Sequence, residues 1–232
     1  MPPSTFQRLL LEFPRIEAKY REEPVQQVVE SCKLSEEEAK CIIIYTLESK
    51  DCPRDEQLYY LFCKAYRDRD DSALERFADF SFHFWNGLGK LPDRALELFR
   101  GLDRRLMDIC DLYEEKNDVH WYYPSSTTTN KAVASKFSNG GTLISIVGVT
   151  NAKSIQAFSL APDEEEFMLM YTSAFQVEVA LPSEKARLVG QFGSLPVNVD
   201  LVVLRAKQTL PPISADHGRA DFRFEHPLAV RT

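Results

Sequence analysis

Three short stretches carry residues that could do chemistry. The first is "APDEEEFMLMY", where Asp163, Glu164, Glu165 and Glu166 stand in a row directly before an apolar run. Adjacent carboxylates repel, and each makes its neighbour harder to ionise. By itself such a stretch reads as a solvated acidic turn. The second is "LPDRALELFRGLD", in which Arg100 follows the apolar pair Leu98 and Phe99 and precedes Gly101. An arginine set beside a core needs an anion, either a structural carboxylate or a ligand. The third is "WYYPSSTTTNKAVASKF", with five hydroxyl residues from Ser125 to Thr129 between an aromatic segment and a helix-like one. Ser and Thr cap helices well, and they also position other polar groups.

Composition narrows what those stretches can serve. The chain has 232 residues with 28 basic and 35 acidic side chains, a net charge of −7. Non-specific nucleic-acid binding needs clustered Lys and Arg, and no basic run of that kind is present, so nucleic acid is not expected as a partner. Purely apolar runs such as "CIII" and "LVVL" fall far short of the roughly 20 residues of a membrane-spanning helix. No apolar signal-peptide core is visible near the N-terminus, so a soluble chain, cytoplasmic or secreted, is expected. Five cysteines with irregular spacing read as thiols rather than as a disulfide framework, and no CxxC pair suggests zinc. His83, His120, His217 and His226 are scattered without metal-ligand spacing, so no metal is expected.

The elements that must position the three stretches change character along the chain. Ser35 followed by Glu38 predicts a capping box opening a helix. Leu58, Leu61, Phe62, Ala65 and Tyr66 mark one face of another. Leu74, Phe77, Phe84, Trp85 and Leu88 continue a helical period that Gly87 and Gly89 are expected to end. After residue 90 come short β-branched or aromatic segments, among them "DVHWYYP", "GTLISIVGV", "KSIQAFS", "EFMLMY", "AFQVEVAL" and "VNVDLVVLRAK", with the helical "NKAVASKF" among them. This predicts an α+β fold, with an N-terminal helical lobe over 1–90 and a mixed β-sandwich core over 91–208. Residues 209–232, rich in Pro and charge, read as a loose tail.

In this order and context the three stretches resemble the R-S-ExE constellation of the arginine-specific mono-ADP-ribosyltransferases. "KLPDRALELFRG" is similar to that family's RG-bearing strand. "SSTTTNKAVASKF" resembles its STS stretch, and "GTLISIVGVTNAKSIQAFSLAPDEEEFMLMYTSAFQVEVAL" its ExE region. The likeness spans roughly residues 30–180, with Ser126-Thr127-Thr128 where the family has Ser-Thr-Ser and Met170 where a proline is common. The resemblance implies NAD as substrate, no metal, and an arginine-bearing protein as acceptor, handled by a monomer.

It also implies roles. Glu166 would hydrogen-bond the nicotinamide ribose and stabilise its cation, and Ser126 would position Glu166 and help hold the ribose. Arg100 would grip the NAD phosphates. Gly101 would let backbone approach the nicotinamide amide, and Phe137 would stack on the ring. Glu164 would orient and deprotonate the acceptor arginine. Residues 159–163 would form the acceptor turn, with Asp163 solvated. On an extended backbone residues two apart point the same way, so Glu164 and Glu166 are expected to share the cleft while Glu165 points away. Two rivals keep the same residues: an NAD glycohydrolase, in which water replaces arginine, and a catalytically inactive NAD-fold binding module.

Overall fold

The computed structural model describes residues 3–49, 52–170, 173–190 and 198–207. The tail expected over 209–232 lies outside the described residues. The N-terminal part is helical: α1 (Pro3–Tyr20), α2 (Glu23–Cys32), α3 (Glu36–Tyr45), α4 (Leu58–Asp68), α5 (Asp71–Arg76) and α6 (Ala78–Lys90). The predicted capping box opens α3: Ser35 Oγ accepts from Glu38 N–H at 3.2 Å, and Glu38 Oε2 accepts from Ser35 N–H at 2.7 Å. The period expected to run through residues 74–88 is broken at Phe77, which ends α5 and starts α6. Gly87 does not terminate α6. It lies inside the helix, where an added Cβ would sit 3.1 Å from Glu38 Cβ and 3.3 Å from Ile42 Cδ1, so it lets α6 approach α3 closely. Phe62, fully buried, meets Tyr45, Tyr66, Phe77, Phe80 and Phe84 largely edge-on. The aromatic stripe is therefore core.

Strands follow: β1 (Asp93–Leu102), β2 (Asp118–Trp121), β3 (Ser125–Thr128), β4 (Thr142–Ser154), β5 (Glu166–Leu169), β6 (Ser173–Leu181) and β7 (Asp200–Ala206). Helix α7 (Lys131–Ser138) separates β3 from β4, and α8 (Ser183–Gly190) separates β6 from β7. The expected helical part followed by a mixed sheet core is what forms. The sequence predicts two separate strand segments over 141–149 and 153–159, and helix capping by the hydroxyl run. Instead β4 continues to Ser154, and the hydroxyl run is a strand.

The sheet bends back on itself around β4. Along one edge β4 pairs antiparallel with β1, from Leu102↔Thr142 to Asp93↔Lys153. Along the other edge it pairs parallel with β7 through Val147, then antiparallel with β5 at Lys153 and Ser154. Strand β3 joins β5 to β1 through Phe99↔Thr128. Four strands, β1, β3, β5 and β4, thus close a ring, while β7, β6 and β2 extend the sheet. Closure needs β1 held where the helices hand over to the sheet. Buried Lys153 does this, donating to Leu91 C=O at 2.6 Å and pairing with Asp93 at 2.7 Å. Ile155, Phe158 and Met168 join the helical core, so the ring packs directly against α3, α4 and α6.

Candidate active site

The ring brings the three stretches together. Thr128 pairs with Glu166 and Ser126 with Met168, so Ser126 and Glu166 are diagonal neighbours on one face of the β3–β5 pair. The Ser126 hydroxyl donates a hydrogen bond to Glu166 Oε1. That face turns toward the helices, where Met168 is fully buried. The opposite face carries Phe167 and Leu169 into the sheet core. Burial accordingly raises the Glu166 carboxyl from its ordinary 4.5 to about 7. The Ser126 hydrogen bond opposes the rise, the negative charges of Glu164 and Glu48 add to it, and Arg100 opposes it. Behind the site the Tyr45 hydroxyl, 3.7 Å from Cys63 Sγ, is held well above its ordinary value, first by burial.

Arg100, on β1 beside the closure at Phe99, donates from Nη1 to Ser126 C=O at 3.2 Å. Its guanidinium carbon lies 5.3 Å from the Trp121 ring centre and 5.6 Å from that of Tyr123. Two aromatic faces and one carbonyl hold a planar cation, and among the described residues its guanidinium has no carboxylate partner. Gly101 packs against the backbone of α7. An added Cβ would stand 2.1 Å from Ala134 C=O, 2.5 Å from Ser138 N and 2.8 Å from Phe137 C. The missing side chain is what lets α7 lie on β1. Asn130 caps α7, its side chain accepting from Ala132 and Val133 N–H, and Phe137 leaves the same helix 50% exposed. Its ring is open to solvent rather than part of the core.

The acidic stretch is not extended. Pro162–Glu164 form a 3-10 turn, and Glu165 is left-handed at φ 48° and ψ 51°. Strand alternation therefore does not place Glu164 next to Glu166; a turn does. Nor does Glu165 simply point away: its Oε2 accepts from the Thr129 hydroxyl at 2.5 Å. The Thr128 hydroxyl donates to Glu164 C=O at 2.7 Å and accepts from Asn130 N–H at 2.9 Å. The Glu164 carboxyl is raised by burial and then by the charge of Glu48. Asp163 is exposed, as expected.

Sequence reasoning missed Trp121 and Tyr123 around Arg100, as well as Thr129 and Glu48. The aromatic run before the hydroxyls was a signal for the first two. Glu48 had none, because it arrives from the loop after α3, where Leu160 N–H donates to Thr46 Oγ1 at 3.2 Å. Gln57 holds that loop through Ser49 and Cys52. No cluster of metal-ligating side chains forms among the described residues, and none of their helices is long and apolar enough to cross a membrane. A separate groove of about 960 Å³, bordered by Met107, Cys110, Glu114 and Pro182, shares no residue with this site.

Comparison with known proteins agrees with the family resemblance. The profile of the NAD:arginine ADP-ribosyltransferase family matches residues 7–188. The chain belongs to that family. It is an ADP-ribosyltransferase, and NAD is the donor that the family name specifies. Among solved structures, ADP-ribosyltransferase HopU1 of Pseudomonas syringae pv. tomato is 21% identical, with a TM-score of 0.61 over 82% of this chain and 84% of that one. The ADP-ribosyltransferase Vis, solved with agmatine, is 17% identical, with a TM-score of 0.57 over 81% and 86%. A mutant of the eukaryotic mono-ADP-ribosyltransferase ART2.2, solved with NAD, is 16% identical, with a TM-score of 0.54 over 89% and 85%. At these identities the likeness is one of fold. No curated protein matches the chain by sequence.

Proposed function

We propose that this chain transfers ADP-ribose from NAD to an arginine side chain of a protein acceptor, releasing nicotinamide. The observation that carries this is the placement of a partly buried carboxylate, Glu166, held by Ser126, with Arg100 and Glu164 beside it. Cleavage breaks the bond between nicotinamide and the ribose C1′. Both bonding electrons leave with the ring, which departs neutral and needs no general acid. The ribose is left cation-like, as in glycoside cleavage. Glu166 lies where a fixed negative charge stabilises that cation, and in a desolvated site the interaction is strong. Ser126 orients the carboxylate. Arg100, braced by Trp121 and Tyr123, offers a planar fork to the NAD phosphates. Phe137 presents a face to the nicotinamide, and Gly101 seats the helix that carries Phe137.

Glu164 handles the acceptor. A guanidinium nitrogen attacks C1′, forms the new N–C bond and passes its proton to the Glu164 carboxylate. A raised pKa makes that carboxylate a better base than an exposed one. Acid at this position favours a guanidinium because the two pair in a bidentate fashion. The protein structurally similar to this chain that was solved with agmatine, itself a guanidinium compound, supports the same reading. Residues 159–163 present the acceptor turn, and a single catalytic unit spans the helical part over 1–90 and the core over 91–208.

The test uses labelled NAD with agmatine and measures ADP-ribosyl-agmatine and free ADP-ribose. Glu164→Ala should nearly eliminate the first product and spare the second, because Glu166, Ser126 and Arg100 still polarise NAD. Parallel loss of both would assign Glu164 to the ribose and remove the case for arginine. Free ADP-ribose as the sole product of the unaltered protein would make it a glycohydrolase.

A further inference from the structure

Glu165 stands between the two acids of the site in a conformation that a residue with a Cβ adopts at a cost. Something must hold it there. The contacts come from one short segment, the link between β3 and α7. Thr128 ties down the Glu164 carbonyl at 2.7 Å, and Thr129 donates to the Glu165 carboxylate at 2.5 Å. The second contact is charge-assisted and partly shielded from water, which strengthens it. Thr129 is itself fixed from both sides. Before it, β3 is paired with β5. After it, Asn130 caps α7 and its N–H binds Thr128 Oγ1.

The orientation of Glu164 relative to Glu166 depends on the backbone of the residue between them, and Thr129 holds the side chain of that residue. We propose that Thr129 is a positioning residue for acceptor transfer: by latching Glu165 into its left-handed turn it aims Glu164 at the attacking nitrogen. This rests on reading Glu164 as the acceptor base. Glu166 has its own supports, the β3–β5 pairing and Ser126, so the latch should matter for transfer and not for NAD cleavage.

The full chain is compared with Thr129→Val, Thr129→Ser, Glu165→Ala, the double variant Thr129→Val/Glu165→Ala, and Glu164→Ala as a benchmark. Labelled NAD and agmatine report both products. Thr129→Val, which keeps shape and removes the hydroxyl, should lower kcat for agmatine transfer on the order of tenfold, the effect of losing one hydrogen bond to a charged group. NAD hydrolysis and KM for NAD should stay within about twofold, because their supports are untouched. Thr129→Ser should restore transfer. Glu165→Ala should reproduce the Thr129→Val result from the other side of the contact, and the double variant should be no worse than either single one, as expected for partners in one interaction. If Thr129→Val does not fold, Glu165→Ala carries the test. Transfer at the unaltered level in Glu165→Ala, additive losses in the double variant, or equal loss of hydrolysis would overturn the latch. If Glu164→Ala itself leaves transfer intact, the base assignment fails first, and the latch has nothing to aim.

Discussion

Replacing Glu166 by Gln should abolish activity and at the same time stabilise the protein above neutral pH. Burial lifts the Glu166 carboxyl from 4.5 to about 7. A folded-state value above the unfolded one means that the folded protein binds the proton more tightly. The stability this confers is fully present below about pH 4.5 and is lost as pH rises through about 7. At 1.36 kcal/mol per pH unit, holding the ionised carboxylate costs the fold roughly 3–4 kcal/mol once pH exceeds 7. Gln matches the protonated form in shape and never ionises. The stability difference between Glu166→Gln and the unaltered protein should therefore be small at pH 4.5, grow between pH 4.5 and 7, and level off above. Urea denaturation at several pH values, with midpoint and slope both recorded, measures it. The same variant should lose on the order of a hundredfold or more in NAD cleavage, the usual cost of removing one preorganised electrostatic group. In the unaltered enzyme kcat/KM for NAD should fall on the acid side near pH 7, since that ratio reports the free enzyme. Parallel denaturation profiles for the two proteins from pH 4.5 to 8 would refute the claim that Glu166 is held ionised at the expense of the fold.

The other expectations are simpler. Glu48→Gln removes a negative charge that raises both Glu166 and Glu164, so ionisation becomes easier and the acid limb of kcat/KM should move to lower pH; an unmoved limb would take Glu48 out of the site's electrostatics. Gly101→Ala forces a Cβ onto the α7 backbone at 2.1 Å and should destabilise by about 1–3 kcal/mol, the usual range for overpacking, with weaker NAD binding by calorimetry as α7 and Phe137 shift. Unchanged melting and affinity would show that α7 is not seated through Gly101.

What was legible in the sequence followed from local rules. Ser35 and Glu38 form the box that their spacing specifies, and α4 buries Leu58, Phe62 and Ala65 as the period requires. Misreadings arose where a local rule had two solutions. Phe77 is apolar and in phase, so nothing in the pattern shows that α5 ends there. Gly87 resembles a stop signal, yet its smallness serves packing on α3. Ser125–Thr128 resemble a cap because Ser and Thr favour caps, but pairing with β5 makes them a strand. The neighbouring Asn130 is the residue that caps α7. Helices α1 and α2 fall within the predicted helical lobe, without a boundary signal of their own.

The candidate residues were found because their types and order were in the chain, whereas their electrostatics come from elements far apart in it. Alternation shows that Glu166 and Met168 share a face, but not that α3 and α4 cover it. That cover is what raises the Glu166 carboxyl. Glu164 and Glu166 were expected to face one cleft because a strand repeats every two residues. They are brought together instead by a 3-10 turn and a left-handed residue. A turn in place of a strand changes what Glu165 does. In a strand Glu165 would be a spacer that could be changed freely. In the turn it carries the backbone conformation on which the placement of Glu164 depends, and its carboxylate has a partner in Thr129. Whether Glu165→Ala is silent or impairs transfer thus distinguishes the two backbones by function alone.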